Sequence, residues 1–563
     1  MKPETRQCKN CKKDFTIESE DFNFYEKIKV PPPTFCPECR QQRRYVWRNE
    51  RTFYRRNCDL CGKSIVTMYS PNKPFKVFCI KCWWGDGWDP AVYGKDYDFS
   101  KSFFLQFKEL QLLVPRIAVY NKTNINSDYT NHSGDCKNTY LSSCCFYDED
   151  VLYSNWIMNS RNCIDNSYIY EGGEKLYECI DSRKSYQCQY GVLLENCIEC
   201  FYCYDMHNCT NCFLSSNLRN GKYVFKNVQY SRDQYLAKVA EFNLGSSKVR
   251  KNLDKEFLVL LENAVRRYVV SERNTNCTGS MLFNSKNVKS SFDSDSIEDS
   301  KFVYSTINVK SSMDMYHIGW GTELAYEIHG SKGYYNCQFC HHSGNNANIQ
   351  YSDSCQDSKD LFGCISVKNG EYMILNKKYS KEEYFELKEK IIEQMKKDGE
   401  FGEFFPMSIS PFGYNETQAN YYMPMSKENA IAMKIKWESE VPGIFGKETL
   451  KTNEIPDLIE EVEDKILREV LVCENCSRNY NIVPNELTFY RKEQIPIPRK
   501  CPECRHKKRF AIRLPRRLWH RSCMCEKGNH GHDGKCKTEF ETAYSPERKE
   551  KVYCESCYNK EVY

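Results

Sequence analysis

Asn287-Val288-Lys289-Ser290-Ser291 returns 21 positions on as Asn308-Val309-Lys310-Ser311-Ser312. Comparable turn-plus-strand units begin near Lys332 and Ser354, and earlier ones at Asn138, Asn162, Lys184 and Asn208, all at similar steps. Each has a brief run such as Thr139-Tyr140-Leu141-Ser142-Ser143 or Cys212-Phe213-Leu214-Ser215, bounded by Asn, Asp, Ser or Gly. Short strands and polar turns at a period in the low twenties predict a parallel β-solenoid, where no coil buries its own face and stacking supplies the core. An irregular β-sandwich is the alternative reading.

The unit is itself duplicated. Asn220-Gly221-x-Tyr223 through Tyr230-Ser231 matches Asn369-Gly370-x-Tyr372 through Tyr379-Ser380. In both copies the serine opens a helix with a capping-box residue, Gln234 or Glu383, three positions on. Helices are predicted over 232–242, 248–269, 381–397, 427–437 and 456–469, with 400–424 as a linker. Phe103, Phe104, Phe107, Leu110 and Leu113 have helical spacing, giving an amphipathic segment over 100–114 ended by Pro115.

Outward from this middle, both ends are rich in paired cysteines. Cys8-x-x-Cys11, Cys36-Pro37-Glu38-Cys39, Cys58-x-x-Cys61 and Cys79-x-x-Cys82 stand at one end. Cys473-x-x-Cys476, Cys501-Pro502-Glu503-Cys504, Cys523, Cys536 and Cys554-x-x-Cys557 stand at the other. Cys8 to Cys36 and Cys473 to Cys501 both span 28 positions, and Cys39 to Cys58 and Cys504 to Cys523 both span 19. Matched spacings mark copies of one module. Each pair puts two thiolates on a tight turn, and two pairs complete the tetrahedron that zinc prefers. About four zinc ions per chain are therefore expected, on Cys8, Cys11, Cys36 and Cys39; on Cys58, Cys61, Cys79 and Cys82; on Cys473, Cys476, Cys501 and Cys504; and on Cys536, Cys554 and Cys557. The ungapped spacing favours Cys523 as the last ligand, but the inserted loop leaves Cys525, His530 and His532 open. Such sites are closed, with no position left for a substrate.

Cys8–Cys39, with Phe24-Tyr25, Pro31-Pro32-Pro33 and Cys36-Pro37-Glu38-Cys39-Arg40, resembles the small zinc-ribbon domains of bacterial proteins, and Cys473–Arg505, with Phe489-Tyr490, Pro496, Pro498 and Cys501-Pro502-Glu503-Cys504-Arg505, resembles them equally. The whole arrangement looks like large uncharacterised proteins predicted from candidate-phylum bacterial genomes. That resemblance covers about a third of the chain; it implies zinc and brings no activity with it.

The fold expected is mainly β: a duplicated right-handed parallel β-solenoid with a helical insertion, flanked by tandem zinc ribbons at each terminus. The domains are ribbons with an arginine-rich helix at 1–90, a capping helix and first solenoid segment at 91–231, the helical insertion at 232–272, a second solenoid segment at 273–379, helices and linker at 380–470, and the copied ribbons at 471–563. Trp83-Trp84-Gly85-Asp86-Gly87-Trp88 reads as a lid over the second ribbon. Of 33 cysteines, 16 lie between the modules, including the motifs that start at Asn196, Asn208 and Asn336. Recurrence at one inward position reads as a buried ladder in preference to further metal sites.

The chain shows no apolar run of membrane-spanning length, no Gly-rich phosphate loop, no nucleophile elbow and no metalloprotease helix motif. Met1-Lys2-Pro3-Glu4 has no apolar signal core, and with so many thiols the expected location is cytoplasmic. Asp293, Asp295, Glu298 and Asp299 tempt a comparison with carbohydrate-active β-helix enzymes, but acidic turns on a solvated edge explain them as well. The protein is read as a non-enzymatic scaffold or recognition protein.

Basic charge is local. Residues 40–57 hold seven arginines and one acid, and residues 505–522 hold eight Arg or Lys and no acid. Net charge is +5, so the rest of the chain is at −9. Arg40, Arg44 and Arg48 are four apart, as are Arg505, Arg509 and Arg513, so a helix lines each set on one face. With Trp47 and Trp519 for stacking, these rows form a candidate DNA- or RNA-binding surface. The alternative is that they dock on the acidic middle or on a protein partner.

Overall fold

A left-handed backbone residue at every third position shapes the middle of the chain. In the computed structural model, which describes residues 2–563, positive φ recurs at Asp150, Tyr153, Trp156, Asn159, Asn162 and Asp165, and again at Ser305, Asn308, Ser311 and Asp314. Each such residue turns the strand, so the chain advances in sides of three residues. The position following each turn faces inward: Val151, Ser154, Ile157, Ser160 and Cys163 are all buried. A non-glycine residue held in this region costs about 1 to 2 kcal/mol. Asparagine lowers that cost, and here it also links successive coils, Asn196 Nδ2 donating to Asn208 at 3.2 Å and Asn208 to Asn220 at 3.3 Å.

Four such sides close one coil. Pairing is parallel at a step of four sides, as in Ser143 with Asn155 and Asn155 with Ser167, or Ile198 with Thr210 and Thr210 with Lys222. This corrects the period in the low twenties. Asn138 and Asn162 lie two coils apart, and Asn138 bonds to the intervening Asp150 at 2.9 Å. The return of Asn-Val-Lys-Ser-Ser is not a coil either: Val288 pairs with Ser300, and Val309 with Ile297. Because 21 is a multiple of three, the two copies place Val288 and Ser291, or Val309 and Ser312, inward alike.

The coils form two large, mostly parallel sheets, one of 16 strands between Asn121 and Gln229 and one of 14 between Ser271 and Lys378. We call them the first and second stacks. Each ends in an antiparallel hairpin, Lys222–Phe225 with Val228–Gln229 and Glu371–Ile374 with Lys377–Lys378. The capping boxes of Ser231 with Gln234 and Ser380 with Glu383 follow. The first stack has a cysteine-rich core, including Cys163, Cys179, Cys188, Cys197, Cys200 and Cys209, whereas the second begins on Val288, Ile297, Val303, Val309 and Met315 and carries cysteines, Cys337, Cys340, Cys355 and Cys364, in its later coils. The ladder thiols donate to backbone carbonyls, as Cys197 Sγ does to Glu195 and Met206 at 3.3 Å each.

Corner residues join the stacks. Tyr120, His132, Cys144, Trp156 and Tyr168 recur every 12 positions along one ridge of the first stack. They meet Ser354, His342 and His317 of the second in reverse order, and Arg516 then bridges Tyr168 to Ser305. Tyr120 bonds to Ser354 at 2.6 Å and stacks on His342 at 3.9 Å, while Trp156 lies 5.6 Å from His317. The stacks therefore run antiparallel.

Helices occur at Phe103–Leu113, Arg232–Ala240, Ser247–Asn263, Lys381–Lys397 and Lys427–Ala432. The helix expected over 456–469 is absent. That segment forms short 3-10 turns at Ile459–Glu461 and Asp464–Arg468, because its backbone pairs with a neighbouring loop, Ser247 N–H donating to the Asp457 carbonyl and Ile459 N–H to the Gly245 carbonyl at 3.0 Å each, while Ile455, Ile459, Val462 and Ile466 pack on the third ribbon's apolar cluster. No helix among the described residues is long and apolar enough to cross a membrane.

Candidate metal centres and the cleft between the stacks

The paired cysteines converge as four tetra-cysteine clusters: Cys8, Cys11, Cys36 and Cys39; Cys58, Cys61, Cys79 and Cys82; Cys473, Cys476, Cys501 and Cys504; and Cys523, Cys536, Cys554 and Cys557. Each is able to hold a zinc ion. Cys11 to Cys36 and Cys476 to Cys501 are 3.7 Å apart, and Cys61 to Cys79 and Cys536 to Cys554 are 4.0 Å. A tetrahedron with zinc–sulfur bonds of about 2.3 Å needs edges of about 3.8 Å. Cys523 takes the position that the ungapped spacing favoured.

Backbone geometry prepares the thiolates. The N–H groups of Cys36, Cys79 and Cys554 donate to Cys8, Cys58 and Cys523 at 3.2 Å each. Burial pushes the Cys8 and Cys58 thiols up, but these backbone donors outweigh it and bring both down to about 7. Cys36 and Cys501 are also the N-caps of the helices Pro37–Tyr45 and Pro502–Ile512, each with proline in its first turn. A metal in the first or third cluster thus fixes the start and direction of an arginine-bearing helix.

Those arginines face inward, which corrects the nucleic-acid surface expected from them. Arg40, Arg44 and Arg48 are at most 2 % exposed, and Arg505, Arg509 and Arg513 at most 5 % on their side chains. Arg40 and Arg44 both bind Asp314 of the second stack at 2.9 Å, and Arg44 binds Glu327 at 2.8 Å. Arg505 and Arg509 bind Asp165 of the first stack at 3.0 and 2.9 Å, and Arg509 reaches Glu178 at 3.0 Å. Arg513 spans Asp181 and Asp293, one from each stack, at 2.9 and 2.6 Å. Burial alone would raise Asp314, but the Arg40 and Arg44 charges bring it below the usual carboxylate range. Trp47 is fully buried against Phe405. Trp519 is half-buried under the Arg517 guanidinium, 5.3 Å from its centroid. Buried beside carboxylates, the six row arginines present no exposed charge to a phosphate backbone, although the Arg505 guanidinium, 3.0 Å from Asp165, makes no well-aligned hydrogen bond.

What the sequence reading missed lies between the stacks. A cleft of about 220 Å³ is lined by Trp84, Tyr120, Phe146, Trp156 and Trp320, with His132, His317 and His342 among its lining residues. Arg48 donates to Cys144 Sγ at 3.2 Å, pairs with Glu50 and lies 3.5 Å from His342 Nε2. Burial, followed by neighbouring positive charge, holds His132 and His317 far below the ordinary histidine value; burial and its histidine neighbours do the same to His342. All three are neutral near pH 7. Burial also pushes the Cys144 thiol well up, so it is no thiolate nucleophile. Three buried ring nitrogens of lining residues, Trp83 Nε1, His132 Nδ1 and Trp156 Nε1, have no hydrogen-bond partner. Two lysines complete the lining, Lys122 over the Trp84 ring at 5.9 Å and Lys332 over the Trp320 ring at 5.8 Å. The signal was present as Tyr120, His132, Cys144, Trp156 and Tyr168 at a constant step, but only the correct coil length aligns them.

His341, Asp353 and Ser354 resemble a catalytic triad in composition only. His341 Nδ1 meets Asp353 at 2.8 Å, but its Nε2 is taken by the Trp47 carbonyl at 2.9 Å, which leaves no base for Ser354. Asp293 is held by Arg513 and Arg516, Asp295 and Asp299 accept from Asn284 and Asn287 in edge ladders, and Glu298 pairs with Lys310. No family model matches the chain, and no curated protein matches it.

Proposed function

We propose that this protein is a zinc-stabilised recognition protein, not an enzyme, built from two right-handed parallel β-solenoids that offer the cleft between them to a flat ring-bearing ligand of the nucleobase class. The observation that carries this reading is the cleft's lining: aromatic faces from both stacks, neutral imidazoles, and three buried ring nitrogens without partners. Aromatic walls on opposing sides suit a planar ring, because stacking on every base is favourable by about 1 to 3 kcal/mol. In-plane N–H and N groups suit a heterocycle's edge. The Trp–Lys pairs at Trp84 and Trp320 suit a single-stranded phosphate chain leading away. The zinc ions are structural, and the arginine rows act as internal clamps. That number of free thiols suits a reducing, cytoplasmic setting.

The test is equilibrium binding followed by tryptophan fluorescence, with nucleosides and short single-stranded oligonucleotides set against monosaccharides. Nucleosides should bind, and Trp156→Phe, which keeps an aromatic face but removes the N–H and one ring of the indole, should weaken binding roughly tenfold. Saturable binding of monosaccharides without nucleosides would favour the carbohydrate alternative. Binding of none would leave a protein-interaction scaffold.

A further inference from the structure

The fourth cluster differs from the second by an insertion. Cys58 and Cys61 are separated by two residues, whereas Cys523 and Cys536 are separated by a loop carrying Cys525, His530 and His532. The loop folds back over its own ribbon, Cys536 N–H donating to the Cys525 carbonyl at 2.8 Å. One donor atom from each of Cys525, His532 and Cys557 then lies within 4.8 Å of the others. Cys557 already belongs to the fourth cluster, so the two ligand sets share a corner.

The histidine's second nitrogen makes the case. His532 Nδ1 is 2.9 Å from the Gly534 carbonyl, which only accepts, so Nδ1 carries a proton. In the neutral ring Nε2 then presents its lone pair, and it lies 3.4 Å from Cys557 Sγ. Once zinc in the fourth cluster holds Cys557 as a thiolate, it has no S–H to donate, and a lone pair facing it at that separation is repulsive unless a cation lies between them. One ring nitrogen towards a metal and the other donating to a backbone carbonyl is the usual arrangement of a ligating histidine. Cys525 is fully buried, and its sulfur is 3.2 Å from His530 Nδ1, a contact that orients it.

We infer that this end of the molecule holds a fifth metal ion, a zinc bound by Cys525, His532 and a Cys557 thiolate that bridges to the zinc of the fourth cluster. The inference rests on that cluster holding zinc. Five thiolates and two divalent ions leave one net negative charge, where a lone tetrathiolate zinc leaves two. The mixed sulfur and nitrogen donors select zinc over harder cations. Three protein ligands leave one coordination position open, beside a concavity lined by Gly531, Asp533 and Lys535. His530 is a positioning residue for Cys525 and not a required ligand. With an open position, the fifth ion exchanges faster than the four closed ones.

Zinc per chain in the full-length protein, measured by plasma mass spectrometry, tests this. The expected content is five, falling to four in Cys525→Ser and in His532→Ala with unchanged circular dichroism. Limiting chelator should remove one equivalent ahead of the rest, and this step should vanish in His532→Ala. With cobalt in place of zinc, His532→Ala should abolish the nitrogen-ligated part of the visible spectrum and leave the tetrathiolate bands. Four ions in the unmodified chain, unaltered by either substitution, overturn the fifth site while sparing the four-cluster reading. Fewer than four overturn both. Should Cys525→Ser fail to fold, the part-exposed His532 still decides the matter.

Discussion

The two terminal modules share cysteine spacing, helix start and arginine row, yet they dock on opposite stacks. The N-terminal helix Pro37–Tyr45 precedes the first stack in sequence and binds the second, through Asp314 and Glu327. The C-terminal helix Pro502–Ile512 follows the second stack and binds the first, through Asp165 and Glu178. Both acceptor pairs are an aspartate and a glutamate 13 positions apart, at coils one residue longer than usual. The difference teaches that the duplicated unit is a ribbon plus the coil face it recognises, and that chain order is secondary to that match.

The strongest way to break this comparison is to remove one ribbon's metal. Cys36→Ser should release the N-terminal helix and raise hydrogen exchange at residues 313–329, while Cys501→Ser should raise it at 163–181. Both effects should approach complete local loss of protection, since structural zinc contributes folding energy directly. Exchange that rises in the stack adjacent in sequence would refute reciprocal docking.

Substituting single clamps should give smaller, matched effects. Arg44→Ala and Arg509→Ala each remove one arm of a buried network in which Arg40, Arg43 and Arg505 still face the carboxylates, so each should cost somewhat less than the about 3 to 5 kcal/mol of a fully stranded buried charge. Urea unfolding should show both losses with zinc content retained. If only one is costly, the modules are not equivalent. The tryptophans sharpen the point: Trp47→Ala should cost about 3 to 5 kcal/mol, whereas half-buried Trp519→Ala should stay within about 1 kcal/mol.

The gentlest comparison is with pH. His132, His317, His329 and His342 cluster near the cleft and titrate far below the ordinary value, mainly through burial. The unfolded chain, with histidines near about 6.5, binds more protons beneath that pH. Their stabilisation is therefore present above about 6.5 and is lost as pH falls towards the depressed folded values. Melting midpoints should drop between pH 7 and 5, less steeply in His329→Gln, with zinc content followed in parallel because protonated thiols release metal. A slope that His329→Gln leaves unchanged assigns the effect elsewhere.

Much of this was legible in the residues, and the failures have physical causes. Cysteine spacing is covalent arithmetic, so 15 of the 16 cluster cysteines could be read outright, while Cys523 was favoured with Cys525, His530 and His532 left open. Capping boxes are local, so the helix Lys381–Lys397 appeared with its bounds. The coil length was misread because inward residues repeat every three positions, and any multiple of three preserves the pattern. Val288 and Val309 look equivalent while lying in different registers. The arginine rows were visible as charge, but whether charge faces water depends on partners as distant in the chain as Asp314 is from Arg44. The cleft was hidden because its two walls come from separate stacks.

Reciprocal docking also sets a timetable for the growing chain. The helix that covers Asp165 and Glu178 ends at Ile512, so those carboxylates leave the ribosome long before their arginines exist. At roughly 5 to 20 residues per second, the wait is on the order of tens of seconds. Asp314 and Glu327 of the second stack meet no such delay, because their clamp was made before them, whereas Asp293 also waits for Arg513 and Arg516. On that schedule Asp165 and Glu178 stay wetted until the chain has been extended as far as Arg509, and a chain cut short before that residue lacks the arginine that covers them.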